Sequence, residues 1–423
     1  MFLMLGTTPA SFVSAVTATS TATSTAADEL KLKIEDRNNQ IKQLEYEISQ
    51  YNNEVQKISG EATTLQKTLQ TLDLTQKKIT TDITLTDRKI SKTTLTITQT
   101  QNEIVDIQNS VAQNKKAIYS LIQNIRMIED NNIVAQFLFS KNLGDIWTDV
   151  DTMNQVQNQI KIKSDQLRLL QASLENKKNQ LGTQKKNLSS LKQDLSGKKQ
   201  AVEVTKQEKA TILAQTKNKE QVYKEIVKTK EEQKAQFEKE LYDFESQLNL
   251  VVDKSKYPSA RIGLFAWPLD NAYITQRFGV TVDSKRLYLS GSHNGIDFRA
   301  TVGTRVKSIG SGIVVGTGNT DIYPGCYSFG KWVMIDHQNG LSSIYGHLSV
   351  ISVSKGQELQ AGDLIGYSGN TGYTTGPHLH LGIYATQGVR IEQFVNSRGC
   401  KQAIIPLADT KAYLDPMAYM PAY

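Results

Sequence analysis

The sequence contains almost no proline or glycine over its first 250 residues. Proline occurs at Pro9 and then not before Pro258, and only four glycines fall between residues 28 and 250. Helix interiors exclude both residues, because proline lacks a backbone N–H and glycine loses the most backbone entropy on folding. After Gly263 the chain is rich in glycine. We therefore predict a helical N-terminal part and a boundary near residues 251–258.

Cysteine is equally scarce. Cys326 and Cys400 are the only two, and neither belongs to a CxxC motif. The sequence therefore excludes a zinc site built from cysteine thiolates. Two interpretations of the pair stay open, a single disulfide in an exported protein or two buried thiols.

The N-terminus lacks positive charge, since no Lys or Arg precedes Lys31. Residues 1–16 are nevertheless apolar or small and resemble the later regions of a secretory signal peptide, with a small-residue cleavage site at 16–18. The Ser/Thr/Ala-rich residues 17–27 predict a flexible linker. No later apolar run reaches the roughly 18 residues that span a bilayer. We expect an exported protein, in the periplasm or the extracellular cell envelope.

The charge balance is basic, with 49 Lys and Arg against 42 Asp and Glu. Such an excess favours anionic surroundings such as a cell-wall polymer or a membrane surface. Solvated lysines on long helices are the alternative source of the excess. Basic and acidic residues alternate along the chain, and no cluster of aromatic and basic residues is present. We therefore expect no nucleic-acid binding.

A heptad repeat of apolar residues runs through the proline-free region. Steps of seven from Ile34 reach Ile125, and Gln76 is the only polar residue at this position. Apolar residues at this spacing form the seam of a left-handed coiled coil. The pattern predicts a coiled coil of two long helices over residues 28–250.

A second heptad phase follows an interruption at about residues 131–151. It runs from Ile160 to Val202 and continues more weakly through Phe237 and Phe244. Two layouts fit both phases, a helical hairpin whose tip is the interruption or a parallel dimeric coil. In either layout the coil is a spacer, a lever or a surface for a partner.

Short alternating runs separated by glycine and asparagine replace the heptads after Trp267. Examples are residues 304–309, 312–316 and 331–336. Runs of this kind are typical of strands in an antiparallel sheet. We predict an all-β domain over residues 265–423, preceded by a linker at 251–264.

All five histidines lie in this β domain, and the preceding 292 residues contain none. Histidine is the commonest metal ligand and the usual proton carrier near neutral pH. Four of the five fall in three short motifs: His293 with Asp297 four residues on, His347 after Tyr-Gly, and His378-Leu-His380. Residues two apart on a strand face the same side, so His378 and His380 share one surface. Catalytic zinc takes three nitrogen or oxygen side-chain ligands and leaves one position open. Two of these histidines and a carboxylate satisfy that count, and two further histidines remain to transfer protons.

The segment at 265–384 that contains these motifs, together with 413–416, resembles the LytM/lysostaphin-type zinc endopeptidases. The matching pieces are His-Asn-Gly-Ile-Asp at 293–297, Tyr-Gly-His-Leu-Ser at 345–349 and Gly-Pro-His-Leu-His at 376–380.

The resemblance implies a role for each histidine. It implies that one Zn²⁺ per chain is bound by His293, Asp297 and His380. It implies that His347 and His378 form the catalytic pair. The fifth histidine, His337, matches a position that is not a ligand and is interpreted as structural.

The resemblance further implies a zinc metalloendopeptidase that cleaves peptide bonds in peptidoglycan stem peptides or cross-bridges. The helical part resembles EnvC-like coiled-coil murein hydrolases, through its hairpin layout and residues 135–140. That likeness implies an FtsEX-like membrane transporter as partner and a link to cell division. The alternative is a non-catalytic activator of a cell-wall amidase. The complete set of ligands and catalytic histidines favours the enzyme. The predicted architecture is thus multidomain, an α-helical coiled-coil hairpin followed by an antiparallel all-β LytM-type domain.

Overall fold

The computed structural model describes residues 17–59, 64–130, 143–217, 219–248, 250, 252–288, 291–374 and 376–423. Four long α-helices come first: α1 (Thr17–Ser59), α2 (Leu65–Asp130), α3 (Leu143–Thr216) and α4 (Glu220–Gln247). The signal-like residues 1–16 and residues 131–142 of the predicted tip lie outside the described part. No helix among the described residues is both long and apolar enough to cross a membrane.

The described residues of this region form four helices, whereas the heptads predict two. Lys217 adopts a φ of 49°, a left-handed conformation that ends a right-handed helix and so separates α3 from α4. Near the N-terminus α1 ends at Ser59 and α2 begins at Leu65. The predicted flexible linker at 17–27 is wrong, because α1 already begins there. The segment contains four alanines and neither glycine nor proline, and alanine is the strongest helix former.

The chain divides into two compact units. The first contains Met1–Ile41 and Arg88–Lys192, and the second contains Lys42–Asp87 and Gln193–Tyr423. The second unit therefore combines helical segments with every strand. The predicted linker at 251–264 lies inside this unit.

Within each unit α2 and α3 run antiparallel. Polar contacts join them, and the residue number on α3 falls as that on α2 rises. The pairs are Thr100–Gln184 and Glu103–Lys177 in the first unit, and Asp73–Lys209 and Asp82–Lys198 in the second. Antiparallel pairing within one chain is what the hairpin layout predicts.

In the second unit α3 packs directly on the β domain. The Tyr367 hydroxyl donates to Asp194 Oδ1 at 3.1 Å, and Arg305 forms an ion pair with the same carboxylate. A Cβ at Gly197 would lie 2.0 Å from the Tyr367 ring. Gly197 therefore has a packing role, because only a residue without a side chain lets this ring reach the helix.

The β domain is built on one large antiparallel sheet and a separate hairpin. Its strands are β1 (Ile274–Gln276), β2 (Ile296–Arg299), β3 (Arg305–Lys307), β4 (Gly312–Asn319), β5 (Lys331–Asp336), β6 (Leu341–Ile351), β7 (Glu358–Leu359), β8 (Leu364–Ser368), β9 (His378–Ala385), β10 (Val389–Gln393), β11 (Ile404–Ala408) and β12 (Tyr413–Leu414). The large sheet has the order β1-β2-β9-β6-β5-β4-β7, with β12 paired to β9, β8 to β6, and β3 to β8, while β10 and β11 form the hairpin. The short helix α5 (Val282–Leu287) lies between β1 and β2. The predicted antiparallel all-β domain is confirmed.

Alternation along β2 and β9 separates a core face from a polar face. Ile296 and Phe298 on β2 are fully buried in the main hydrophobic cluster, as are Leu379 and Leu381 on β9. The residues between them point to the opposite face, because successive strand side chains alternate. The apolar residues thus fix the register, and the register decides which polar side chains meet.

Cys326 and Cys400 form a disulfide, which closes a loop with a sequence separation of 74. Both residues are buried in a small cluster that also contains Phe394 and, from α4, Phe237. Of the two interpretations open from the sequence, the structure has the disulfide.

Loss of this disulfide is expected to lower the free energy of unfolding of the β domain by about 4 kcal/mol, because a long loop regains its freedom in the unfolded chain. Thermal unfolding with and without a reductant measures the effect. The double variant Cys326→Ser/Cys400→Ser is the control, since its melting temperature should be low and insensitive to reductant. Equal melting temperatures for the reduced and oxidised wild type would contradict the prediction.

Candidate metal centre

Neighbouring strands bring the three predicted metal ligands together. Asp297 on β2 lies directly opposite His380 on β9 in the antiparallel register. His293 precedes β2, where its backbone pairs with Gly279 through hydrogen bonds of 2.8 and 3.0 Å. The HxxxD spacing therefore brings His293 back to Asp297, and the sheet register adds His380.

The donor atoms form a nearly equilateral triangle. His293 Nε2 lies 3.2 Å from His380 Nδ1 and 3.4 Å from Asp297 Oδ1, and the last two atoms are 3.0 Å apart. Ligands at zinc distances in a tetrahedral arrangement are separated by about 3.3 Å. The spacing of the three atoms thus fits ligands on one face of a tetrahedral zinc site.

Burial and charge prepare these groups for a cation. All three side chains are buried. Burial by itself disfavours the charged carboxylate, but the nearby imidazoles, His378 first and then His293, hold the pKa of Asp297 well below its ordinary range. His293 Nδ1 lies 3.2 Å from the Arg277 carbonyl, an acceptor that requires the proton on Nδ1 and leaves Nε2 as a ligand atom.

Gly295 allows the close packing around His380. A Cβ at Gly295 would lie 2.6 Å from Cε1 of the imidazole and 2.5 Å from the Leu381 carbonyl oxygen. A side chain there would push the imidazole out of the ligand triangle. The His-Asn-Gly-Ile-Asp motif thus requires its glycine for steric reasons.

His347 and His378 lie beside the triangle and face each other. Their ring centroids are 4.6 Å apart, and His378 Nε2 is 3.8 Å from Asp297 Oδ1. Carbonyl oxygens in the segment between β8 and β9 accept from both Nδ1 atoms, at 2.8 Å for His347 and 2.9 Å for His378. Each ring is therefore held with Nε2 as its proton-accepting atom.

The environment keeps His347 neutral. Burial, together with the nearby imidazoles of His378 and His380, holds the pKa of His347 well below its ordinary value. A neutral imidazole with Nδ1 already donating can take a proton only at Nε2. His347 is thus suited to accept a proton within the groove.

A β-bulge turns His347 towards the site. The pairing of β5 with β6 shifts between Val333↔Tyr345 and Lys331↔Leu348, so β6 has one more residue than β5 over this interval. His347 itself has a φ of 60°, in the left-handed region that only few non-glycine residues adopt. Bulges near active sites re-aim a side chain in this manner.

His337 lies outside this group. Its two ring nitrogens contact the Ser311 carbonyl at 2.9 Å and the Ser343 hydroxyl at 2.8 Å, and its ring packs on Phe265. Both nitrogens are occupied by protein partners. The contacts agree with the structural role that the resemblance implies.

A groove of about 430 Å³ opens over the five site residues, and helix α4 forms one of its walls. The helix residues that line it are Lys234, Phe237, Glu238, Leu241, Tyr242 and Glu245. Their spacing of three and four residues is that of one helical face. This helix therefore covers the groove as well as continuing the helical region.

The heptad pattern placed the apolar face of α4 in the coiled coil, whereas the structure packs it on the β domain. Phe237 and Phe244 continue the heptad register, but both rings pack on Phe394 of the β domain, with centroids 6.1 and 5.4 Å apart. Apolar periodicity shows that one face of a helix is buried, but it does not show which surface packs against that face. The weakening of the heptads after Val202 was the available signal.

Buried Glu245 anchors the C-terminal end of α4. Its carboxylate accepts from the Tyr413 hydroxyl at 2.7 Å and from the Ala408 backbone N–H at 3.1 Å. Burial raises the pKa of Glu245 to about 8, against these hydrogen bonds, which lower it. In the docked helix Glu245 therefore keeps its proton up to about pH 8, whereas an exposed glutamate loses its proton near the ordinary pKa of 4.5.

The docking of α4 is consequently expected to weaken as the pH rises. The stabilisation is complete below about pH 4.5, is lost progressively up to about pH 8 and is constant above. Glu245→Gln should abolish this slope and dock more firmly than the wild type at pH 8. Amide hydrogen exchange of α4 at several pH values tests this, with exposed Glu232→Gln as the matched control. A wild-type exchange rate without pH dependence beyond that of the control would refute the prediction.

Part of the β domain is similar to known proteins. Residues 291–393 match the model of Peptidase family M23. Peptidoglycan DD-endopeptidase ShyA of Vibrio cholerae is 42% identical over 118 residues, which are 27% of this chain and 25% of that protein. Lysostaphin of Staphylococcus simulans is 42% identical over 92 residues, or 22% of this chain and 18% of that protein. The predicted resemblance of this domain to the LytM/lysostaphin-type peptidases is confirmed.

These relatives correspond to only part of the chain, which itself spans a quarter or less of their length. The solved catalytic domain of lysostaphin from Staphylococcus simulans is 29% identical and covers 35% of this chain and 91% of that one, at a TM-score of 0.26. The family match is confined to residues 291–393. The EnvC-like resemblance of the helical part therefore stays a prediction.

Proposed function

We propose that this protein is an exported zinc-dependent endopeptidase that cleaves peptide bonds in peptidoglycan stem peptides or cross-bridges. The observation that carries the proposal is the ligand triangle of His293, Asp297 and His380, with two further histidines at its edge. The match to Peptidase family M23 supports the reaction class. The name of the Vibrio cholerae relative, a peptidoglycan endopeptidase, supports the substrate.

Zinc, when bound by these three residues, polarises a peptide carbonyl and makes water a nucleophile near neutral pH. The remaining steps belong to the protein. His347 Nε2 is suited to accept a proton, because the ring is neutral and fixed by its Nδ1 hydrogen bond. His378, when protonated at Nε2 as well as at Nδ1, can donate that proton to the leaving amine or a hydrogen bond to the developing oxyanion. In the first case the proton held by His347 restores His378, and in the second case it passes to the leaving amine.

The helical region is proposed to restrain the enzyme through α4. The helix occupies one wall of the groove and buries Phe237 and Glu245 against the β domain. An extended peptide needs that space, so cleavage requires α4 to move. A partner that pulls on the coil would release it, and the FtsEX-like transporter stays the candidate that the resemblance implies.

Mass analysis of muropeptides tests the proposed reaction. Full-length protein and its Phe237→Ala variant, in which the docking of α4 is weakened, are loaded with zinc and incubated with purified cell walls, and the released fragments are compared with those from zinc-free samples. New amino and carboxyl ends within stem peptides or cross-bridges are expected only with zinc. Inert protein that instead stimulates a purified amidase would establish the non-catalytic activator.

A further inference from the structure

One cation of α4 is held by two aromatic rings of the groove. Lys234 Nζ lies 4.4 Å from the ring centroid of Tyr373 and 4.9 Å from that of Tyr288. The Lys234 side chain is only 14% exposed. A cation over an aromatic face gains roughly 0.5–1 kcal/mol in water and about 2 or more when desolvated. The two tyrosines therefore provide a binding place for a desolvated ammonium.

This place adjoins the metal ligands. The Tyr288 ring stacks on the His293 imidazole, with centroids 5.2 Å apart and planes 8° from parallel. The ammonium thus lies at most about 10 Å from a ligand ring, which is the length of roughly three residues of an extended peptide. A peptide threaded past the metal has residues within reach of these tyrosines.

The cation and its acidic neighbour both belong to the helix. Lys234 pairs with Glu238 at 3.2 Å, one turn further along α4. When α4 leaves, both groups leave with it, whereas Tyr288 and Tyr373 stay with the β domain. Two aromatic faces then flank an open position that had held a primary ammonium.

We propose that Tyr288 and Tyr373 form a subsite for a primary ammonium group of the peptide substrate, which Lys234 occupies while α4 is docked. The inference rests on the proposed function and deepens it, since it names a chemical feature of the substrate. The ammonium has two possible sources, the side chain of a diamino acid or a free N-terminal amine. In both cases α4 competes with substrate through the same chemistry.

Three short peptides of equal length test the subsite by calorimetry. Acetyl-Ala-Lys-Ala-amide carries only a side-chain ammonium, and Ala-acetyllysine-Ala-amide carries only a terminal one. Acetyl-Ala-acetyllysine-Ala-amide carries neither. The full-length double variant Lys234→Met/Phe237→Ala is used, because it removes the competing ammonium and weakens the docking of α4. We expect one charged peptide to bind about tenfold more tightly than the neutral peptide, and the tighter one identifies the source.

Two substitutions at Tyr373 separate the ring face from other contributions. Tyr373→Phe keeps the aromatic face and should keep the tenfold preference for the charged peptide. Tyr373→Leu should abolish the preference, so that charged and neutral peptides bind equally. Equal affinity for all three peptides, or no measurable binding of either charged peptide, overturns the proposal. An unchanged preference in Tyr373→Leu does so as well.

Cleavage of the same peptides distinguishes failure of the subsite from failure of the proposed function. A tyrosine-dependent preference in binding, without hydrolysis by zinc-loaded protein, keeps the subsite and removes the peptidase. Hydrolysis of all three peptides at equal rates, with equal affinities, keeps the peptidase and removes the subsite.

Discussion

Replacing His380 with alanine is expected to abolish both zinc binding and hydrolysis, whereas His378→Ala should keep zinc and lose turnover. His380 Nδ1 is one corner of the ligand triangle, 3.0 Å from Asp297 Oδ1. His378 Nε2 stands outside it, 3.8 Å from the same oxygen. A proton-transferring side chain contributes about 10²–10⁴-fold to rate, so His378→Ala should lower kcat by that factor. Metal content after dialysis and peptide hydrolysis are measured on the same samples.

His337→Gln is the control for this pair. Its imidazole is held by Ser311 and Ser343 away from the triangle, so zinc content and kcat should stay within a few-fold of wild type. Circular dichroism shows whether each variant is folded. Zinc retained in His380→Ala but lost in His378→Ala would reverse the two assigned roles.

Phe237→Ala is expected to accelerate hydrolysis of a soluble peptide by as much as about 100-fold. Phe237 is 7% exposed and packs on Phe394 next to the disulfide. Truncation of a buried phenylalanine costs about 3–5 kcal/mol, and each 1.4 kcal/mol is tenfold in an equilibrium. Even if only part of this free energy is lost from the docking of α4, the population with an open groove rises by two orders of magnitude. Initial rates at a peptide concentration well below KM measure this population.

Lys239→Ala on the solvent-facing side of α4 is the matched control and should leave the rate unchanged. Limited proteolysis reports the release of the helix separately from activity. Faster proteolysis of α4 in Phe237→Ala, without faster hydrolysis, would show that the docked helix does not restrain the enzyme. A rate and a proteolysis pattern equal to wild type would show that Phe237 does not hold it.

Spacing along the chain singled out the three histidine motifs because each motif is local, and the family resemblance implied which of their residues are metal ligands. The HxxxD motif spans the segment that leads into β2. The period of two along a strand places His378 and His380 on one face. The boundary between helical and β regions followed equally from the distribution of proline and glycine. Backbone chemistry acts on each residue in turn, so a single sequence carries these signals.

Local patterns did not predict which distant parts of the chain pack against each other. The heptads placed Phe237 and Phe244 in the coil, although they pack on the β domain. The Ser/Thr/Ala-rich start was predicted to be a linker and is helical. Helical periodicity specifies a buried face, and composition specifies a propensity, but neither names the surface that completes the packing.

The sequence by itself determined the two architectures, the family resemblance and the residue types of the metal centre, since periodicity, backbone exclusions and short motifs are properties of neighbouring residues. Only the tertiary structure decided that a bulge aims His347 at the site, that Cys326 pairs with Cys400, and that α4 covers the groove with Lys234 between two tyrosines. These arrangements depend on contacts between residues tens to hundreds of positions apart, which form when the sheet register and the core packing are fixed together.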